Sequence, residues 1–145
     1  MDDEEKYIFS KHQREIINDL KFIGSVPQKC KINTNDKTIG SESSVYNNFK
    51  RFWKSEDRKE TVRFVSKRIE EGLAMFNKIT ELWKKKILVE ALLTCVKGLN
   101  NLKATYFTDN LVVAEIDTLI KQINNAIEEE GKKDEELFMY IKMKF

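Results

Sequence analysis

Between Phe49 and Leu73 the chain reads FKRFWKSEDRKETVRFVSKRIEEGL, interleaving aromatic and basic residues. Lys50, Arg51, Lys54 and Arg58 precede or open a helical period, and Arg63 and Lys67 fall one turn apart within it. Cationic donors spaced along a surface are what a phosphate backbone requires, since each neutralised phosphate releases counterions. Phe49, Phe52 and Trp53 are of the type that stacks on unpaired bases. The same aromatics suit a core, and Glu56, Asp57, Glu60 and Glu70 offset part of the charge. The segment therefore reads first as a solvated or protein-contacting face and second as a polyanion-binding patch.

Other chemistry has less material. His12 is the only histidine, and the carboxylates fall mainly in charge runs, so no metal-ligating set emerges. Glu115 and Asp117 flank an apolar stripe without a histidine or a matching carboxylate pair, which a di-metal bundle site needs. A nucleophile would have to pair Cys30 with His12, and their spacing gives no support for it. No glycine-rich phosphate loop is present. The expectation is no enzyme, no catalytic residue, no metal and no cofactor.

These residues must be positioned by helices. A chain of 145 residues that is 41% hydrophobic can bury a core without disulfides or metal, and one proline with five glycines supplies too few turns for an all-β fold. The fold class expected is all-α, one helical bundle over 1–145. Cys30 and Cys95 lack ligand spacing and read as reduced structural thiols. The formal charge of +2 is near balance, yet unevenly spread: Asp2–Glu5 and Glu128–Glu136 are acidic, the middle basic. No apolar run approaches the ~20 residues that span a bilayer, and MDDEEKY lacks the pattern of a signal peptide. An intracellular, soluble protein is expected.

Along the chain, Glu4 to Ile23 reads as a first helix within 1–24, carrying Tyr7, Ile8, Ile16, Leu20 and Ile23, with Gly24 placed to end it. The period disappears over residues 25–44, where Lys29–Ile32 and Lys37–Ile39 flank Asn33–Asp36, a small hairpin or irregular insert. Helical core follows over 45–130. Val45 to Trp53 forms a short aromatic helix, and Asp57 with Glu60 opens a long helix running to about Leu82 through Val62, Val65, Ile69, Leu73 and Phe76, the stripe continuing to Ile79 and Trp83. Lys84–Lys86 reads as the connection to a second long helix through Ile87, Leu88, Ala91, Leu92, Cys95, Leu99 and Leu102. A third, capped by Thr108 or Asp109, carries Val112, Val113, Ile116, Leu119, Ile120, Ile123 and Ile127 and ends at Gly131. Gly72 and Gly98 each cost a helix about 1 kcal/mol against alanine, so a close helix crossing is expected there.

The tail 134–145 reads as a final helix. Its Leu137, Phe138, Tyr140, Ile141 and Phe145 exceed what a chain end needs for solubility and mark a candidate protein interface.

The order of Ile23-Gly24-Ser25-Val26-Pro27 and Lys31-Ile32-Asn33, then Ser55–Thr61, then Gly98–Tyr106 followed by Asp109, resembles small helical proteins encoded by large eukaryotic DNA viruses. The resemblance covers roughly residues 20 to 127 and implies context, in host cytoplasm or virion, without a reaction to carry over. The function expected is a non-enzymatic protein-interaction or structural protein whose partner is another protein or its own copy. The alternatives are a nucleic-acid-binding accessory protein using the basic helix face, and a host-directed inhibitor built as a bundle around a groove for a partner helix.

Overall fold

The computed structural model describes residues 9–25, 58–105 and 110–144. The insert expected over 25–44 and the aromatic helix expected over 45–53 lie outside them, apart from Ser25. The described residues form five helices and no strand, so the chain is an all-α helical bundle. The helices are α1 (Lys11–Ser25), α2 (Arg58–Lys78), α3 (Leu82–Thr105), α4 (Asn110–Lys133) and α5 (Glu135–Lys144).

Helix α1 starts later than its sequence suggests, for a reason written in the sequence. The Ser10 Oγ accepts the Gln13 backbone N–H at 3.1 Å, while the Ser10 N–H donates to Gln13 Oε1 at 2.9 Å. This reciprocal capping box satisfies two donors of the first turn. Arg14 reinforces the entry by donating to the Phe9 carbonyl at 3.0 Å. Ile16, Ile17, Leu20 and Ile23 then form a buried stripe.

Gly24 does not end α1. It lies where α1 crosses α3: a methyl group built on Gly24 would overlap Thr94, and one built on Gly98 would overlap the Ile23 carbonyl. The two glycines remove the side chains that would hold the helices apart, and α1 and α3 form the most extensive contact among the described helices. The crossing expected at Gly98 is present. Gly72 serves a looser approach of α2 to α1, with Leu20 Cδ1 3.0 Å from where its β-carbon would sit.

The expected stripes supply the core. Val62, Val65, Ile69 and Phe76 of α2, Leu88, Ala91, Leu92, Cys95, Leu99 and Leu102 of α3, and Val112, Ile116, Leu119, Ile123 and Ile127 of α4 are all buried. The connection between α2 and α3 is Ile79–Glu81, not Lys84–Lys86, which lie in the first turns of α3. Three lysines near a helix N-terminus oppose the macrodipole, and here two are offset by carboxylates: Lys84 reaches Glu81 at 3.5 Å and Lys85 reaches Glu130 of α4 at 3.1 Å. Trp83, expected on the core stripe, is instead 45% exposed, because α3 begins afresh at Leu82 and does not continue the phase of α2. Although joined by three residues, α2 and α3 scarcely touch; α1 and α4 each pack against both.

The core also buries charge that hydrophobic periodicity does not announce. Asp19 of α1 and Arg68 of α2 are both buried, with Oδ2 and Nε 2.6 Å apart, close but outside hydrogen-bond alignment. Arg68 also donates to Glu71 at 2.7 Å.

Candidate interaction surface

Helix α5 is set by Asp134, whose Oδ1 accepts the backbone N–H groups of Glu136 at 2.9 Å and Leu137 at 3.2 Å. Glu135 and Glu136 in its first turn, and Lys142 and Lys144 in its last, both follow the macrodipole. Gly131 was expected to end α4; the helix instead continues through it to Lys133. Its missing β-carbon makes room for α5, since that atom would lie 3.1 Å from Ile141 Cδ1 and 3.7 Å from Phe138 Cα.

The inner face of α5 is fixed. Leu137 and Ile141 are buried in the common core. Lys144 Nζ meets Glu90 Oε1 of α3 at 2.9 Å. Two ammonium groups approach the Tyr140 ring, Lys86 at 5.4 Å and Lys144 at 5.5 Å from its centre. Burial pushes the Tyr140 phenol above its usual range, and the Glu90 charge adds to that. The hydrogen bond to Glu90 holds the Lys144 ammonium above its usual range.

The outer face is apolar and open. Phe138 is 42%, Met139 57% and Met143 81% exposed, with Lys142 Nζ 4.9 Å from the Phe138 ring centre. The structure thus divides the residues marked as a candidate interface. Leu137 and Ile141 anchor the helix, Tyr140 is half-buried against α3, Phe138 faces solvent, and Phe145 lies outside the described residues. Met139 and Met143, absent from that set, contribute the most exposed surface. The signal for them was present: with Leu137 and Ile141 as an i, i+4 pair facing the core, Met139 and Met143 form the i, i+4 pair turned away.

Of the candidate polyanion patch, Arg63 and Lys67 are exposed on α2, one turn apart. Arg58 is the first residue of α2, while Lys50, Arg51 and Lys54 lie outside the described residues. Arg63 opens onto a groove of about 280 Å³ between α2 and α4 that Ser66, Glu115, Thr118, Leu119 and Gln122 also line. That groove is about equally polar and apolar in its lining and includes the Glu115 carboxylate.

His12 is exposed, with Nε2 3.8 Å from Glu71 at the rim of an open cleft of about 510 Å³. Asp117 pairs with Lys103 at 2.9 Å. Among the described residues no three histidine, cysteine or acidic side chains gather as metal ligands. Cys95 is buried on α3, and burial pushes its thiol far above the usual range, so it stays protonated. No helix among the described residues is long and apolar enough to cross a membrane. Comparison of the chain with protein-family models, curated proteins and solved structures finds no match.

Proposed function

We propose that this chain is a non-enzymatic interaction or structural protein that engages a protein partner through the outer face of α5. On the sequence resemblance, we place it in a large DNA virus. The observation that carries the reading is the exposure of Phe138, Met139 and Met143 on a helix whose opposite face is locked to the bundle. Together they offer on the order of 350 Å² of apolar surface, within the range of functional patches on small proteins. Methionine side chains adapt to irregular partners. A helix already capped and docked spends little conformational entropy on being recognised.

The test is proximity labelling in cells that express the protein, wild type beside a Met139→Glu/Met143→Glu variant. Both methionines are exposed, so the bundle should be retained, which circular dichroism checks. Loss of specific labelled neighbours in the variant is expected; an unchanged set would remove α5 from the account.

The nucleic-acid reading keeps one supporting observation, the exposed pair Arg63 and Lys67. It predicts oligonucleotide binding that weakens steeply from about 50 to 200 mM salt and is lost on reversing both charges. For the inhibitor reading, the groove between α2 and α4 is only half apolar and carries the Arg63 and Glu115 charges, where a partner helix would ask for a continuous apolar floor.

A further inference from the structure

The outer face of α5 carries a charge pattern complementary to itself. Glu135 and Lys142 are both exposed and seven residues apart, which is two turns and about 10 Å along one side of a helix. Phe138 and Met139 lie between them. A second α5 laid antiparallel, related by a two-fold axis passing between Phe138 and Met139, brings each Glu135 against Lys142 of the other copy. The same operation brings Phe138 opposite Met139. A parallel pair would set Glu135 against Glu135 and Lys142 against Lys142, so charge selects the antiparallel arrangement.

We propose that the occupant of the α5 face is a second copy of this chain, joined through antiparallel α5–α5 pairing. This rests on the reading of α5 as the interaction surface and names its partner. An isologous contact of this kind closes at two copies. Each copy brings roughly 350 Å² of apolar surface and a few charged flanks, well below the ~800 Å² a side of a standard stable interface. The dimer is therefore weak and dissociates in the micromolar range or above.

The experiment is sedimentation velocity of the full chain, from about 5 to 500 µM so as to bracket that range, with E135K, K142E and an equimolar mixture of the two. The wild type is expected to dimerise with rising concentration. Each variant alone makes both cross-pairs repulsive and is expected to associate about ten-fold more weakly. In the mixture every facing pair is again opposite in sign, so heterodimers are expected to return. E135K also removes an acid from the first turn of α5, but that loss persists in the mixture, so restored association cannot be a folding effect. The proposal is overturned by a wild type that stays monomeric throughout, by a dimer indifferent to both reversals, or by a mixture no better than its components. A monomer whose labelled neighbours still depend on Met139 and Met143 rejects the second copy while leaving α5 as an interaction face.

Discussion

Alanine at Gly98 should destabilise this protein even though alanine is the better helix former. In an exposed helix the change is worth about 1 kcal/mol in favour of alanine. Here the new methyl group would overlap the carbonyl oxygen and carbon of Ile23 and approach Gly24 Cα to 2.7 Å. All three are backbone atoms of α1, which cannot rotate aside as a side chain does. Helices α1 and α3 must separate, loosening the largest interface among the described helices. Overpacking of an ordinary core costs about 1–3 kcal/mol, and a clash with backbone falls at or beyond the upper end. After the propensity gain, a net loss of about 2–3 kcal/mol remains, or roughly 5–10 °C in Tm for a chain of this size. Gly72→Ala provides the contrast, because its methyl group meets Leu20 Cδ1 at 3.0 Å, the far end of a side chain that can turn. That variant should melt within about 3 °C of wild type, in either direction. Thermal and urea unfolding of the two variants side by side is the assay. Gly98→Ala melting at or above wild type would refute the close crossing of α1 on α3.

Two further outcomes follow from groups the core buries. Arg68→Ala removes the guanidinium beside the buried Asp19 carboxylate and should cost about 3–5 kcal/mol in urea unfolding, whereas Asp19→Leu/Arg68→Met should lie nearer wild type than either single change. Cys95 holds its proton in the folded state above its ordinary value of 9.0, while the unfolded chain ionises there. The native state thus binds more protons than the unfolded one at alkaline pH, so the contribution is intact below about pH 9 and lost as pH rises. Urea midpoints at pH 8 and about pH 10 should fall more steeply in wild type than in Cys95→Ala.

Periodicity made the stripes of α2, α3 and α4 legible, because a buried face repeats at i, i+3 and i+4 whatever it packs against. The ends of the helices were less legible. Glycine reads the same whether it stops a helix or admits a neighbour, so Gly24 and Gly131, expected as stops, proved to be contact points, while Gly98 was recognised because it lies mid-pattern. Lys84–Lys86 looked like a connection because three adjacent charges usually mean solvent; Glu130, placed there by tertiary packing, makes room for Lys85 inside the bundle. Asp19 and Arg68 gave no signal for the same reason, since the two buried charges meet only when α1 packs on α2. At the candidate surface, the apolar excess of the tail was legible, but its partition into anchor and open face depends on which side meets Gly131 and Glu90.

The central claim, that the outer face of α5 is where this protein meets its partner, is tested most directly by methyl NMR of the methionines, of which the chain has four. With the second copy as partner, raising the protein concentration should shift the Met139 and Met143 methyl signals. Met75, buried in the core, should stay fixed. Signals of Met139 and Met143 that remain constant across the range in which the protein self-associates would contradict the account.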